Sequence, residues 1–501
     1  MFPCSSNIER STFEALQANL VEQFESHFPD PLAGKTVVVV PSQTLDQELL
    51  AKVSGINHYE ERLLCLLMLL RMPRTHLIYV TSLPIDESII DYYLHLLPGV
   101  PTRHARQRLT LLCCYDASSR SLTEKILERP RLIEKIRCSI PSGHVAHMVG
   151  FNITPHEHAL ALKLGIPIYG TPYWLNHLGT KTGSREIFRQ TGLLLPPGYE
   201  HLRDMNDVLE ALHRLKRECP HLRKAVVKLN DGFSGDGNAI YSFEKHGVPA
   251  SEDDLRSRLE LVAQDMQYES FAQKMQQMGG IVEAFIDGAE KTSPSVQCRI
   301  TPLKQIEVVS THDQLLGGYD RQVYLGATFP AHRAYASEIG HLGYRIAQRL
   351  AGEGVIGRFG IDFISVKEPG GWWQHYAIEI NLRKGGTTHP YLMLQFLTDG
   401  YYDHHTGEYQ MPNGQTRYYF ATDNLQANTY RGLSPDDLLD IAVCHNIHYD
   451  ATVQEGVVFH LLSAVSQFGK LGVVCIGATP ERAKHFFEKT KAVLDKASSS
   501  L

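Results

Sequence analysis

Nine cysteines in 501 residues form no Cys-X-X-Cys pair, and their number is odd. Neither a disulfide framework nor a thiolate metal site of ordinary spacing is read, and a reduced, cytoplasmic chain is expected. Long apolar runs are also missing. The longest, Leu63-Leu-Cys-Leu-Leu-Met-Leu-Leu70, is eight residues between arginines, far short of the roughly 20 that cross a bilayer, and it suits a core helix. The start, Met1-Phe-Pro-Cys, has no basic segment followed by an apolar core, so no secretory signal is expected there and no membrane partner. There is no dense basic run, and 49 Lys and Arg against 55 Asp and Glu give a formal charge of −6. That balance argues against nucleic acid as the main partner. No Gly-X-Gly-X-X-Gly turn follows the first apolar strand and no Gly-Lys-Ser/Thr follows a glycine loop, which excludes the dinucleotide fingerprint and the Walker A loop.

What is present is an α/β pattern in three parts, since the length exceeds one core of roughly 100 to 200 residues. Over 1–170, apolar strands at 36–40, 77–81, 109–115, 146–151 and 166–169 alternate with helical stretches at 60–71, 87–97, 123–137 and 155–164. This alternation predicts a parallel sheet covered by helices. Over 171–404 the chain changes to strands at 225–229, 239–243, 280–286, 306–310, 359–366 and 375–382, with helices at 251–277 and 334–351. Residues 405–501 read as a small α+β unit, with a strand near 416–422, helices at 434–444 and 480–497, and a hairpin around 467–470.

The chemistry concentrates in the middle part. Ala377-Ile-Glu379-Ile-Asn381-Leu-Arg383 puts a carboxylate, an amide and a guanidinium on one face of a strand, because side chains alternate with period two. With Asp362 from the strand at 359–366, Glu379 and Asn381 make a hard oxygen set suited to Mg²⁺. Val226-Val-Lys228 runs into Gly232-Phe-Ser234-Gly235-Asp-Gly237. Backbone N–H groups there would cradle phosphates, with Ser234 as a hydroxyl donor and Lys228 as a fixed cation. Glu283, Ala284, Phe285 and Ile286 form a strand edge able to meet a purine, and Glu290 follows as an acceptor for ribose hydroxyls.

This order of motifs resembles the ATP-grasp superfamily of carboxylate-amine ligases. The resemblance covers 171–404, with 1–170 resembling the domain that usually precedes that fold. Glu379-Ile-Asn-Leu-Arg-Lys-Gly-Gly-Thr-Thr-His-Pro390 and Ser310-Thr-His-Asp313-Gln314 are especially similar to the peptide ligase of pheganomycin biosynthesis and its relatives. By resemblance, Lys181 and Lys228 are the phosphate-binding lysines, Gly232 to Gly237 the loop over the triphosphate, Glu283 to Ile286 the adenine hinge, Glu290 the ribose ligand, and Asp362, Glu379 and Asn381 the metal ligands. Gly360 stands where D-alanine ligases carry an arginine, with Arg358 nearby.

The expected cofactors are ATP and Mg²⁺, with Mn²⁺ as an alternative. The expected reaction activates a small-molecule carboxylate as an acyl phosphate and passes it to an amine, an amino acid or peptide, releasing ADP and phosphate. Arg383 and Lys228 are the candidate catalytic residues, Arg383 for the developing oxyanion. His389 would accept the amine proton or be a plain loop histidine, and His312 and Asp313 would form a supporting hydrogen-bonded pair. The resemblance leaves the oligomeric state open, with a homodimer as one arrangement that related ligases often adopt. A small-molecule kinase on the same fold and a non-catalytic ATP-binding scaffold are the competing readings.

Overall fold

Strand pairing in the first part follows the apolar alternation. The computed structural model describes residues 7–44, 55–232, 237–263, 266–317 and 323–498. Four parallel strands lie in the spatial order Leu109–Cys113, Thr75–Thr81, Lys35–Val40, Val145–Gly150. Every residue of Lys35–Val40 is buried, as a strand covered on both faces requires. The strand expected at 166–169 reduces to one parallel bridge between Met148 and Ile168, because Pro167 has no N–H to extend the ladder. The helix expected over 123–137 is two, Leu122–Leu127 and Pro130–Cys138, broken where Pro130 cannot continue a turn. The apolar run at 63–70 lies in a 3-10 helical segment, Ile56–Arg71, that is buried almost throughout.

The middle part divides into two lobes. The smaller is a five-stranded antiparallel sheet in the order Gly198–Leu202, Gly280–Ala284, Lys224–Leu229, Asn238–Ser242, Glu260–Leu261. Helices Met205–Glu218 and Tyr268–Met278 close its core with Val208, Leu212, Leu215, Phe271 and Met275. The single helix expected over 251–277 is interrupted, because Glu260 and Leu261 pair along the sheet edge with Ile240 and Ala239. The larger lobe runs Lys291–Thr292, Gly357–Lys367, Pro294–Ile300, Ile306–Gly317, Val323–Phe329, with Trp373–Asn381 also paired to Gly357–Lys367. Helix Ala336–Glu353 packs on it through Ile339, Ile346 and Leu350.

The last part adds no separate main sheet. Tyr418–Gln426, Lys470–Gly477 and Gly456–His460 continue the large sheet outward from Val323–Phe329. The hairpin expected around 467–470 is a short helix, Val465–Phe468, closed by Gly469 at φ 60° before the strand begins. One apolar core joins the 3-10 segment, the large sheet and the terminal strands, including Leu64, Phe329, Phe359 and Val474. Among the described residues, no helix is long and apolar enough to cross a membrane.

The helix Lys181–Gln190 begins under a tight constraint. Thr180 accepts a hydrogen bond from the Gly183 N–H at 3.0 Å, and a Cβ on Gly183 would lie 2.0 Å from the carbonyl oxygen of His177. Backbone, not a flexible side chain, occupies that space. Gly183→Ala is expected to lower unfolding stability by about 2–4 kcal/mol. Chemical denaturation measures it, and an unchanged midpoint would contradict the close approach.

Candidate active site

Antiparallel pairing of Gly357–Lys367 with Trp373–Asn381 sets Asp362 opposite Glu379 and Gly360 opposite Asn381. Directly opposed residues point to one face. The Asn381 amide donates to Asp362 Oδ2 at 3.0 Å, and the Gln314 amide donates to Asp362 Oδ1 at 2.7 Å. Lys181, first residue of its helix, reaches Glu379 Oε1 at 2.5 Å. The Ile380 N–H donates to Ser184 Oγ at 3.0 Å, so the same helix is bolted to the carboxylate strand. Asn230 joins the small lobe to that helix start: its carbonyl and side-chain oxygens accept from the N–H groups of Lys181 and Thr182 at 3.1 and 3.0 Å.

Lys181, Gln314, Asp362, Glu379 and Asn381 border one cavity of about 900 Å³ between the lobes. Of the residues expected at the site, Lys181, Lys228, Gly232, Gly237, Glu290, Asp362, Glu379, Asn381 and Arg383 line it. Ser234 and Gly235 lie outside the described residues. Lys228 also pairs with Glu283 Oε1 at 2.5 Å, and Arg185 holds the other oxygen at 3.1 Å. Glu290 accepts from Lys367 Nζ at 2.9 Å.

Glu283, Ala284, Phe285 and Ile286 do not line this cavity. The Ala284 and Phe285 N–H groups are taken by the carbonyls of Pro197 and Lys224 at 2.7 and 3.1 Å, and the Ile286 carbonyl accepts from Lys291 Nζ at 3.0 Å. The Phe285 ring lies 4.4 Å from the Lys291 ammonium and borders a smaller cavity with Lys224, Asp287 and Gly288.

The expected pairing of His312 with Asp313 is not made, because neighbours on a strand face opposite sides. His312 is buried against Tyr419, whose hydroxyl lies 2.5 Å from Nε2, while Asp313 lines the cavity and accepts from the His332 N–H and the Tyr335 hydroxyl at 2.8 and 2.7 Å. His389 is buried too. Its Nδ1 lies 3.0 Å from the Arg62 carbonyl and its ring 4.4 Å from that of His460, so it is not placed to take a proton in the cavity. Arg358 is a buried cation whose pKa is lowered by desolvation and by Arg299.

Sequence reasoning missed one whole end of the cavity. Arg62 and Tyr59 come from the 3-10 segment, Tyr324 from Val323–Phe329, Asp423 and Asn424 from an irregularity in Tyr418–Gln426, and Lys470 from the start of the last strand pair. Arg62 pairs with Asp423, and its guanidinium lies 4.1 Å from the Tyr59 ring; Lys470 donates to the Tyr59 hydroxyl at 2.6 Å. Gly386 is required here, because a Cβ would meet the Tyr324 ring at 2.9 Å. The available signal was the charged triplet Glu60-Glu61-Arg62 beside the longest apolar run.

Electrostatics separate the two carboxylates. Burial, reinforced by Glu379, pushes Asp362 up to about 7. Burial opposes ionisation of Glu379 as well, but Lys181, Lys228 and Arg383 outweigh it and hold that carboxyl below its usual range. One carboxylate, one amide and one carboxyl that resists ionising fit a hard divalent cation, whose charge would relieve that resistance. Desolvation also lowers Arg383, against the pull of Glu379 and Asp362.

The sign of the stability effect follows. An unfolded aspartate loses its proton near pH 3.9, so between roughly pH 4 and 7 the folded chain holds a proton at Asp362 that the unfolded chain has released, and stability falls as pH rises through that window. Asp362→Asn is expected to stabilise the metal-free protein at pH 8 by about 1–3 kcal/mol and to change it little at pH 4. Thermal unfolding at the two pH values tests this; equal shifts at both would remove the assignment.

Known proteins share the fold. A family model described as IQCH-like, ATP-grasp matches residues 253–405, and one described as PGM1 C-terminal domain matches residues 437–488. L-propargylglycine–L-glutamate ligase of Streptantibioticus cattleyicolor is 29% identical over 483 residues, 95% of this chain and 96% of that protein. IQ motif-containing protein H of Danio rerio is 22% identical over 483 residues, and the match spans 86% of this chain but 45% of that longer protein. Among solved structures, Campylobacter jejuni biotin carboxylase aligns with a TM-score of 0.55 at 14% identity, covering 93% of this chain and 95% of that one. The biotin carboxylase domain of Hydrogenobacter thermophilus 2-oxoglutarate carboxylase aligns at 0.56 and 13% identity, covering 91% and 89%. The lobes that clasp the cavity, the ATP-grasp model over residues 253–405 and the solved structures agree on the fold: the middle of the chain has the ATP-grasp fold.

Proposed function

We propose that the chain is an ATP-dependent ligase that joins a carboxylate to an amine through an acyl phosphate, with α-amino acids or short peptides as substrates. The observation that carries this reading is the single cavity in which phosphate-type cations, an oxygen ligand set and a separate zwitterion-type end meet. Residues 171–404 form the nucleotide unit, and 1–170 and 405–501 supply the substrate end. The substrate class also follows the full-length relative, whose name joins one amino acid to another. Free cysteines, four of them buried, suit a reduced cytoplasm.

In this mechanism Lys181, Lys228 and the backbone at Gly232 and Gly237 hold the ATP phosphates. Asp362, Glu379 and Asn381 would hold Mg²⁺, or Mn²⁺, which supplies charge neutralisation on phosphate oxygens when bound. Lys181 exchanges Glu379 for a phosphate, which frees the Glu379 carboxylate. Arg383 faces the reacting carboxylate and stabilises the negative charge that develops when the carboxylate attacks the γ-phosphate and again when the amine adds to the acyl carbon. Phosphate then leaves and the amide remains. At the far end, Arg62 and Lys470 take a substrate carboxylate, and Asp423 takes an ammonium.

The assay is purified protein with Mg-ATP and pooled amino acids, read by mass spectrometry. An amide accompanied by ADP and phosphate is the expected result; a stable phosphorylated product would mean a kinase, and tight ATP binding without turnover a scaffold. Glu379→Gln and Lys228→Ala are expected to lower kcat/KM at least about 100-fold. Arg62→Ala is expected to raise KM for an amino-acid substrate about 10-fold or more while leaving KM for ATP within about twofold, the signature of lost binding at one end only.

A further inference from the structure

Away from the cavity, three histidines and an aspartate converge on the outer side of the large lobe. Asp403, His404 and His405 open the turn between the paired strands Tyr401–Asp403 and Glu408–Gln410, and their ligand atoms all lie within 4.8 Å of one another. His341 comes from the helix Ala336–Glu353, and its Nε2 lies 3.3 Å from Nδ1 of His405. We propose that His341, His404, His405 and Asp403 form a binding site for a divalent transition-metal cation of the Zn²⁺ type, distinct from the oxygen site at Asp362.

Four independent features support a built site rather than a crowd of surface histidines. The first is spacing: two nitrogens sharing a tetrahedral metal at about 2.0–2.1 Å stand about 3.3–3.4 Å apart, the separation seen between His405 and His341. The second is orientation. His341 Nδ1 lies 2.8 Å from the Ser337 carbonyl, which can only accept, so Nδ1 carries the proton and Nε2 presents a lone pair toward His405. The third is anchorage. Ser337 Oγ donates to the His405 carbonyl at 2.8 Å, tying the turn to the helix that carries His341. The fourth is glycine at the two points of closest approach: a Cβ on Gly340 would lie 3.2 Å from His404 Cβ, and one on Gly407, at φ 75°, would lie 2.8 Å from Ala336 Cβ.

Imidazole nitrogens with one carboxylate select a borderline cation over Mg²⁺, which prefers oxygen. Asp403 keeps acceptor capacity although its Oδ1 already receives the His405 N–H at 2.9 Å, because a carboxylate offers about four lone-pair positions. A bound cation would join the turn to the helix, a staple between two elements that the fold otherwise holds by short contacts.

The test uses the full chain without a histidine tag, titrated with Zn²⁺ against a chromogenic chelator in excess Mg²⁺. One equivalent is expected to bind with an affinity that His341→Gln and His404→Ala/His405→Ala each weaken by at least about 100-fold, at or beyond the upper end of the roughly 10- to 100-fold cost of losing an outer-sphere partner. Zn²⁺ is expected to raise the Tm of the parent chain by several degrees and to leave both variants unmoved. Co²⁺ in place of Zn²⁺ is expected to give the visible bands of a tetrahedral nitrogen site in the parent chain alone. Equal Zn²⁺ affinity in parent and variants, or equal Tm shifts, overturns the proposal. Variants that match the parent's Tm without metal exclude misfolding as the cause of lost binding.

Discussion

Two acids on one face of a buried strand pair set the terms for everything around them. The register that opposes Asp362 to Glu379 brings two carboxylates into one desolvated corner, where both cannot ionise freely. The corner resolves unevenly. Glu379 receives Lys181 and the fields of Lys228 and Arg383, whereas Asp362 receives neutral amide donors from Gln314 and Asn381 and keeps its proton to about pH 7. The cations arrive from separate places: a helix start, a strand of the small lobe and the second residue past the carboxylate strand. Ser184 on the Ile380 N–H and Asn230 on the backbone of Lys181 and Thr182 fix the helix start that carries the first of them.

The other end of the cavity depends on chain continuity rather than local chemistry. The last three main strands extend the large sheet, so Lys470 and Asp423 are fixed in the same framework as Asp362. The 3-10 segment of the first part is buried in the shared core, which fixes Arg62 and Tyr59 against them. Tyr324 stands between the two regions. The field of Asp423 and, more weakly, that of Asp362 both raise its pKa, beyond the larger effect of burial, and its ring covers Gly386. The paired glycines after Arg383 are thus where the Asp362 end and the Arg62 end of the cavity meet.

Much of this was legible in the chain. Period-two alternation disclosed the carboxylate strand, and a lysine before a glycine loop disclosed Lys228 and its turn. Both are local patterns, and the structure places those residues in one cavity. The strands Gly198–Leu202, Pro294–Ile300 and Val323–Phe329 were not legible: the first pairs with Gly280–Ala284, and the other two, each beside Ile306–Gly317, take their second partners from Gly357–Lys367 and Tyr418–Gln426 far along the chain, so tertiary pairing decides them. Arg62 and Asp423 are 361 residues apart, and nothing in either neighbourhood encodes the other. Proline chemistry was underweighted at Pro130 and Pro167, where a missing N–H overrode an otherwise consistent pattern.

Lys181 and Lys228 are held differently, and on the proposed function the difference bears on order of binding. A buried ammonium without a partner costs several kcal/mol, so each lysine in the nucleotide-free chain needs a carboxylate. Lys228 and Glu283 are both nearly inaccessible, but Glu283 has a second partner in Arg185, so Lys228 can turn to a phosphate without stranding an anion. Lys181 and Glu379 have no such reserve in direct contact. When Lys181 turns away, Glu379 keeps the fields of Lys228 and Arg383 but loses its direct partner beside Asp362, a second acid, and a cation bound on that face replaces that contact. On the proposed reading, phosphate capture by Lys181 and cation capture by Glu379 and Asp362 are therefore coupled events, whereas capture by Lys228 is not.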